Sequence, residues 1–295
     1  MTAASLTADD VLTRAGRQAG ITTSGALKIR DGSNVMYRLL GDVVARIGPE
    51  HTEEAAGRQV AVARWLASAG INVVTPVAGL AQPTVVGTRP VTWWERIPEH
   101  RSATPAELGA MLRQLHNLTP PATPVLADFD PLSGVDKRVA AATRLGEADQ
   151  AWLVDRVRAV RDELAQLVAA MGRGVIHGDA WQGNIAVPDS SAPVLLDLEH
   201  VSLGSRDWDL IPLAVDYADF ARLSDEDYHA FVGAYGGRDV IQAPHFRTFA
   251  DAQELRWTAF TLAKAETDDD AAEQTRHRIA CLRGEVPRPW TWDAF

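Results

Sequence analysis

The sequence predicts an α+β fold with two parts: a strand-rich N-terminal part containing one main helix, and a larger, mostly helical C-terminal part. Short β-branched runs separated by turn residues fill the first third of the chain, and from Thr104 onwards apolar residues recur at spacings of three and four. With 295 residues the chain is long enough for one large domain or for two lobes that share a cleft. The composition changes near residue 98, so we expect one lobe at 1–98 and a second at 99–295.

A hairpin followed by a helix is predicted in the N-terminal lobe. The runs Val35–Leu39 and Val43–Ile47 flank the short turn Leu40–Asp42, which favours two antiparallel strands. From Glu54 to Ala69 the apolar positions change to a helical period, and Gly70 is suited to end that helix.

Three more apolar runs complete the N-terminal lobe. Val73–Val77 and Thr84–Val86 predict short strands, and the bulky run Val91–Ile97 predicts a longer one that stops at Pro98. We expect the segment at about residues 91–98 to join the two lobes.

The C-terminal lobe is predicted to begin with a capped helix. Thr104 and Glu107 form a capping box, and Pro105 occupies the first helical position. A second long helix is predicted from Gln150 to Met171, and the chain beyond Trp208 is predicted to be mostly helical. Short strands are expected between these helices at Val175–Ile176, Ile185–Val187 and Val194–Leu198.

The composition restricts the classes of partner. A net charge of −10 disfavours a nucleic acid or an anionic membrane, because both are bound through basic patches. The same charge either suits a cationic ligand or serves solubility alone. One cysteine, Cys281, allows no internal disulfide and no thiolate zinc cluster. The first ten residues lack the basic and apolar regions of a signal peptide, and no stretch approaches about 18 uninterrupted apolar residues, so we expect a soluble, cytoplasmic protein.

The segment from Val175 to Asn184 carries the strongest chemical signal. Asp179 lies five residues before Asn184 in a polar loop, and a second acid, Asp197, follows a later apolar run. Phosphoryl transfer needs one carboxylate to orient an attacking hydroxyl and accept its proton, and an amide with a second carboxylate to hold Mg²⁺ against nucleotide phosphates. Oxygen ligands on loops after strands suit Mg²⁺. The alternative is that these residues merely form turns and a strand end.

The His-Gly-Asp triplet that ends at Asp179, with Asn184, Asp197 and Glu199 behind it, resembles the aminoglycoside phosphotransferase and choline kinase family. That family's signature is His-Gly-Asp-x-x-x-x-Asn with a later Asp-x-Glu or Asp-x-Asp. The resemblance runs from about residue 31 to residue 213. It implies a bilobal protein-kinase-like fold whose N-terminal lobe binds ATP, with GTP as the alternative, and it implies Mg²⁺ as the metal.

The resemblance also implies a role for each residue of the motif. Asp179 would be the catalytic base, and His177 would orient its loop. Asn184 and Asp197 would be Mg²⁺ ligands, with Glu199 as a further contact near the metal.

Protein kinases share the Asp-x-x-x-x-Asn spacing but differ at other positions. Gly178 stands where they carry arginine, Leu198 and Glu199 stand where they carry Phe-Gly, and no long activation segment precedes Asp209. In the family that the chain resembles, Asp209 corresponds to a later aspartate that braces the catalytic loop. We therefore expect a small-molecule acceptor rather than a peptide.

The same resemblance implies the residues that contact the nucleotide. A hairpin with small residues would cover the phosphates, although an ordinary hairpin turn looks similar. The segment that joins the lobes would contact adenine, with core packing as the alternative role of its tryptophans. These candidates are Gly32, Ser33 and Asn34 in the hairpin, and Trp94, Glu95 and Ile97 in the joining segment.

Two positions of the nucleotide site depart from the family pattern. Arg46 occupies the place of the strand lysine that contacts the α- and β-phosphates, and Gln59 occupies the place of its helical glutamate partner. Either Gln59 hydrogen-bonds Arg46, or Glu53 or Glu54 replaces the missing acid.

An aminoglycoside-like or amino-sugar acceptor would need carboxylates and flat aromatic walls in the C-terminal lobe. The alternative is that these residues are core tryptophans and solvated acids. The candidates are Trp181, Asp216, Glu254 and Trp257.

Three functions remain open at this stage. The first is an ATP- and Mg²⁺-dependent kinase for an amino-sugar or aminoglycoside-like hydroxyl, and antibiotic resistance would then be one biological role. The second is a metabolic kinase for choline, an amino alcohol, a sugar or homoserine. The third is a nucleotide-binding relative without catalysis, which the departures at Arg46 and Gln59 suggest.

Overall fold

The computed structural model describes residues 6–189 and 191–293, and for residues 168–170 it describes the backbone alone. The chain divides into two compact units that alternate along the sequence. Unit 1 consists of residues 1–103, 121–126 and 183–201, and unit 2 consists of residues 104–120, 127–182 and 202–295. The single boundary near residue 98 stays a prediction.

The main sheet of unit 1 has five antiparallel strands in the order β1-β2-β3-β5-β4. The hairpin predicted from the sequence is formed by its second and third strands. In their turn Gly41 and Asp42 have φ values of 79° and 58°, a left-handed geometry that glycine and aspartate tolerate well. The strands are β1 (Leu27–Asp31), β2 (Val35–Arg38), β3 (Val43–Ile47), β4 (Thr84–Val86) and β5 (Arg89–Glu95).

Two helices pack in unit 1, α1 (Ala8–Ala19) and α2 (Glu53–Ser68). The second agrees with the predicted helix to within one residue at each end. The first was not predicted, although Thr7 and Asp10 form a capping box at its start. Its apolar face is buried against the sheet, and the Tyr37 hydroxyl on β2 donates a 2.5 Å hydrogen bond to Asp9.

A second sheet of unit 1 joins distant parts of the sequence. Its strands are β6 (His100–Ser102), β8 (Ile185–Pro188) and β9 (Val194–Leu195), in the order β6-β8-β9.

The strand predicted at Val73–Val77 is wrong. This segment makes isolated bridges to two different strands, Val73 to Leu195 and Pro76 to Trp94, because a proline lacks the N–H that a continuous ladder needs. The predicted run Val194–Leu198 is also shorter than expected, since the chain turns into a 3₁₀ helix at Leu198–His200.

Unit 2 is mostly helical, as predicted, and its one two-stranded sheet in the described ranges pairs β7 (Gly174–Ile176) with β10 (Ser202–Gly204). None of the helices described is long and apolar enough to cross a membrane. The sequence did not predict α4. The helices are α3 (Pro105–His116), α4 (Val135–Ala141), α5 (Glu147–Ala170), α6 (Ile211–Ala218), α7 (Asp225–Tyr235), α8 (Phe246–Ala265) and α9 (Asp269–Leu282).

The capping box predicted for α3 is present. Thr104 Oγ1 accepts a 3.3 Å hydrogen bond from the Glu107 N–H, and the Thr104 N–H donates to Glu107 Oε2 at 2.8 Å.

We expect Thr104→Ala to lower the free energy of unfolding by about 1 kcal/mol, because one N–H of the first turn loses its acceptor. Urea denaturation followed by circular dichroism measures this change. Thr104→Ser keeps the hydroxyl and serves as the control. An unchanged midpoint for Thr104→Ala would show that the cap contributes nothing.

Candidate active site

The loop that carries Asp179 begins where β7 ends, in unit 2. Gly178 has a φ of 83°, which an L side chain rarely adopts, so the loop needs glycine at this position. His177 is fully buried, whereas Asp179 is partly exposed. The left-handed turn thus separates an anchored histidine from a carboxylate that solvent and ligands can reach.

A buried carboxylate, Asp209, holds this loop by its backbone. Its Oδ2 accepts the His177 N–H at 2.6 Å, and its Oδ1 accepts the Gly178 N–H at 2.8 Å. His116 Nε2 lies 2.9 Å from Oδ2. Burial opposes ionisation of Asp209, but the hydrogen bonds and the positive charge of its neighbours hold its pKa below the usual value.

The residues around Asp209 are fixed in turn. On the far side of His116, Nδ1 lies 2.8 Å from the Tyr235 hydroxyl. Next to Asp209, Asp207 accepts hydrogen bonds from Arg238 and from His245. Asp209 is therefore held in place by His116, which is fixed by Tyr235, and its neighbour Asp207 is fixed by Arg238 and His245. No spacing in the sequence singles out His116 as a contact of Asp209.

In unit 1 a cavity of about 680 Å³ gathers most of the residues predicted to bind nucleotide and metal. This volume falls in the range of small-molecule and cofactor sites. Of the predicted set, Gly32 is not in the lining; it is exposed at the tip of the β1–β2 hairpin. The lining includes Ser33, Asn34, Arg46, Gln59, Trp94, Glu95, Ile97, Asn184, Asp197 and Glu199.

Arg46 is shared between two acceptors at this cavity. Its Nη1 donates to Gln59 Oε1 at 2.7 Å, and its Nη2 forms an ion pair with Glu199 Oε2 at 3.3 Å. Of the alternatives left open by the sequence, the structure therefore shows the Gln59 hydrogen bond. Glu53 and Glu54 are exposed at the start of α2. The negative charge facing Arg46 comes from Glu199.

Arg58, which sequence reasoning missed, ties α2 to the same loop. Its guanidinium donates to the main-chain carbonyls of Glu199 and, at 3.0 Å, of Val201. Two neighbouring residues of α2 thus act on the same ion pair. Arg58 binds the backbone of Glu199, and Gln59 binds Arg46, the ion-pair partner of the Glu199 side chain. The position of Arg58 beside Gln59 on a helix was the available signal.

The candidate metal ligands have the donor type that Mg²⁺ prefers. Asn184 is buried, and its main-chain carbonyl accepts the Leu196 N–H at 2.8 Å. Asp197 is exposed and has a φ of 48°, in the left-handed region that aspartate tolerates better than most residues with a Cβ. An amide and a carboxylate oxygen suit a hard cation that completes its shell with phosphate and water. In the described ranges no three acids, histidines or cysteines form a cluster that could hold a metal alone.

The two neighbouring tryptophans of β5 differ in role. Trp93 is fully buried in the core, with its Nε1 donating to Thr84 at 3.1 Å. Trp94 faces the cavity and donates to Thr92 at 2.8 Å. The Glu95 N–H is already bonded to the Thr75 carbonyl at 2.8 Å.

The acids predicted to bind an acceptor are paired with arginines in unit 2. Glu254 is 1% exposed and lies 2.6 Å from Arg247 and 3.6 Å from Arg288. Burial raises the pKa of Glu254 to about 8, although the charge of Arg247 opposes the shift. Asp216 forms a 2.8 Å ion pair with Arg222.

The two predicted aromatic walls also differ. Trp181 is 53% exposed two residues after Asp179, whereas Trp257 is partly buried and packs edge-on against Phe220. Trp181 is thus the candidate that presents the larger open face.

A family model described as the phosphotransferase enzyme family matches residues 27–246. This match covers most of the chain. The chain belongs to this phosphotransferase family. It is therefore a phosphotransferase, as predicted. No curated protein sequence is similar enough to count as a match.

Solved structures of phosphotransferases share the fold at low sequence identity. An amicoumacin kinase in complex with AMP-PNP, Ca²⁺ and amicoumacin is 15% identical, with a TM-score of 0.73 and coverage of 96% of this chain and 94% of that chain. A choline/ethanolamine kinase family protein from Mesorhizobium loti is 18% identical, with a TM-score of 0.62 and 90% coverage of each chain. A Streptomyces rimosus aminoglycoside phosphotransferase with ADP and streptomycin is 19% identical, with a TM-score of 0.62 and coverage of 83% of this chain and 97% of that chain. These likenesses confirm the kinase-like fold.

The hydrogen bond between Gln59 and Arg46 leads to a prediction about nucleotide affinity. We expect Gln59→Glu to bind AMP-PNP·Mg²⁺ about three- to tenfold more tightly, because a charge-assisted bond of roughly 1 kcal/mol more would hold Arg46 in place. Gln59→Met removes the bond and should weaken binding by a similar factor. Isothermal titration calorimetry measures both affinities. Equal affinities for the two variants would show that this bond does not position Arg46.

The brace at Asp209 leads to a prediction about stability. We expect Asp209→Asn to lower the free energy of unfolding by about 3 kcal/mol at neutral pH, because two backbone N–H groups and His116 lose a buried anion. Denaturant unfolding measures the difference, and Asp162→Asn on the exposed face of α5 is the matched control.

The difference in the free energy of unfolding between wild type and Asp209→Asn should decrease as the pH falls. The folded-state pKa of Asp209 is lowered, so its stabilising contribution is complete above the unfolded value of about 3.9 and is lost as the pH falls through the folded value. The gap between wild type and Asp209→Asn should therefore shrink in acid. A gap that widened with acidification would contradict the assigned charge state.

Proposed function

We propose that this phosphotransferase moves the γ-phosphate of ATP to a hydroxyl of a small molecule with the help of Mg²⁺. The observation that carries the proposal is the cavity of unit 1, which brings Arg46, Asn184 and Asp197 to one surface. A cation, an amide and a carboxylate are the groups that phosphoryl transfer requires around a nucleotide. Related structures with ADP or AMP-PNP support the choice of nucleotide.

Each cavity residue has a role in this proposal. Arg46 contacts the α- and β-phosphates through its planar fork, and Gln59 keeps that fork in place. Ser33 and Asn34 lie over the phosphates, while Trp94 walls the base. Asn184 and Asp197 would hold Mg²⁺, which would supply positive charge against the phosphate oxygens.

The catalytic loop supplies the proton acceptor. Asp179 orients the acceptor hydroxyl and takes its proton as the hydroxyl oxygen forms a bond to the γ-phosphorus. The bond from that phosphorus to the bridging oxygen breaks, and ADP leaves with the electron pair. Asp209 keeps the loop in place by holding the His177 and Gly178 amides.

An amino-sugar or aminoglycoside-like acceptor is the first candidate. The solved structures that share this fold include complexes with streptomycin, spectinomycin and amicoumacin, which supports a polyfunctional natural product as acceptor. Trp181 is the exposed aromatic that could pack against a sugar ring.

An uncharged hydroxyl compound, such as a simple sugar, is the second candidate, and the ion pairs of unit 2 favour it. Asp216 is paired with Arg222, and Glu254 with Arg247 and Arg288. Burial raises the pKa of Glu254 to about 8, and the charge of Asp216 is balanced by Arg222, so both offer little attraction to a polycation and recognition would depend on hydrogen bonds and stacking.

The test is Mg²⁺-dependent ADP release from ATP across aminoglycosides, amino sugars, simple sugars, choline and homoserine. We expect one class of acceptor to stimulate release, and Asp179→Ala to lower the rate by about 10²- to 10⁴-fold because the proton acceptor is lost. Asp197→Ala should also abolish transfer, and GTP in place of ATP tests the choice of nucleotide.

The control is Asp162→Ala, which removes an exposed acid from α5 and should leave the rate unchanged. Full activity in both Asp179→Ala and Asp197→Ala would contradict the mechanism. Binding of AMP-PNP without transfer to any acceptor would instead favour a nucleotide-binding protein without catalysis.

A further inference from the structure

Gly178, the residue just before Asp179, is held at its carbonyl as well as at its N–H. The Gly178 carbonyl accepts two side-chain N–H groups, from Trp208 Nε1 at 3.2 Å and from Arg256 Nη1 at 3.3 Å. The Gly178 N–H is held by Asp209 at 2.8 Å. Arg256 is the cationic member of this arrangement, so its bond to the carbonyl is charge-assisted.

Arg256 reaches the loop from α8 through an aromatic slot. The central carbon of its guanidinium lies 5.5 Å from the Trp208 ring and 5.6 Å from the Phe129 ring. The two rings contact each other with centroids 5.2 Å apart. Such packing limits the rotamers of the arginine and favours the planar guanidinium over an ammonium group.

The charge of Arg256 is used differently from that of the other arginine on α8. Arg247 pairs with Asp219, Asp251 and Glu254, which neutralise it. Arg256 instead donates to the main chain of the catalytic loop. Burial lowers the pKa of Arg256, and the negative charge of Asp179 is the main opposing influence. The two side chains are therefore electrostatically linked within unit 2.

We propose that Arg256 is a positioning residue for phosphoryl transfer, which fixes the Gly178 carbonyl and thereby the direction in which Asp179 leaves the loop. This inference rests on the proposed function of Asp179. The family match ends at residue 246, so the role of Arg256 comes from its contacts in this structure alone.

The first test compares Arg256→Met with Lys264→Met by steady-state kinetics, using the acceptor found in the panel. Lys264 is also on α8 and lies over the Phe260 ring at 5.2 Å, so it matches the loss of a charge and an aromatic contact away from the loop. We expect Arg256→Met to lower kcat about 10- to 100-fold with an unchanged KM for ATP, because a base displaced by a fraction of an ångström transfers protons poorly. Lys264→Met should behave as wild type.

Two further variants separate positioning from general stability. Arg256→Lys keeps the charge but loses the fork, so we expect an intermediate kcat at an unchanged melting temperature. For Arg256→Ala, millimolar guanidinium should restore part of kcat, whereas the same concentration of sodium should not. If Arg256→Met does not fold, the Lys variant decides: wild-type kcat and KM in that variant would overturn the proposal.

A measurement without catalysis keeps this inference distinct from the proposed function. Hydrogen–deuterium exchange of peptides that cover residues 176–181 should be faster in Arg256→Met and unchanged in Lys264→Met. Absence of transfer by the wild type, with faster exchange in Arg256→Met, would contradict the proposed function but not the positioning contact. Unchanged exchange together with unchanged kcat would overturn the role of Arg256.

Discussion

A buried carboxylate that binds two consecutive backbone amides is the constraint on which the loop that carries Asp179 depends. Asp209 would be costly to bury alone, and its cost is offset by the His177 and Gly178 amides and by His116. Because each oxygen binds one of these N–H groups, the carboxylate fixes the orientation of two consecutive peptide groups as well as their distance from it. Gly178 can comply because its left-handed φ carries no side-chain penalty. The carboxylate of Asp179 is then presented from a loop whose preceding peptide is anchored.

The cavity of unit 1 contains a second arrangement of charges, centred on Arg46. The positive charge of Arg46 is permanent, and the neutral amide of Gln59 cannot balance that charge. The Glu199 carboxylate balances it through an ion pair of 3.3 Å, and Arg58 on α2 binds the Glu199 backbone. At the two positions where the resemblance implies lysine and glutamate, this chain has Arg46 and Gln59, and Glu199 provides the acid that pairs with the arginine.

The sequence predicted most of the elements whose patterns are local. The β2–β3 hairpin, α2 and the capped α3 follow from alternation, helical spacing and cap residues. The segment Val73–Val77 failed because its β-branched composition favours a strand, whereas Pro76 and two different partners prevent a continuous ladder. Helix α1 was not predicted, although Thr7 and Asp10 at its start match the sequence pattern of a capping box.

At the candidate site the sequence identified residues by their motif but not by their contacts. Asp209 was recognised through a family resemblance, and the structure adds the two amides that it holds. Arg58 and Arg256 act through main-chain carbonyls of residues more than 70 positions away, at 141 and 78 positions respectively. No spacing rule predicts such long-range partners, because they depend on how the elements pack.

Unit 1 is built from three separate segments of the chain, which affects the order in which it can fold during synthesis. The strand at His100–Ser102 pairs with Ile185–Pro188, and Val73 bridges to Leu195, so this unit draws on residues more than 80 positions downstream of its first segment. During synthesis, residues up to 103 leave the ribosome before these partners. The backbone groups near Val73 and His100 therefore stay unpaired until residues 185–195 have been made. The cavity of unit 1, whose lining includes Glu199, cannot be complete until residue 199 has emerged, so residues 127–182 of unit 2 are synthesised before unit 1 can finish folding.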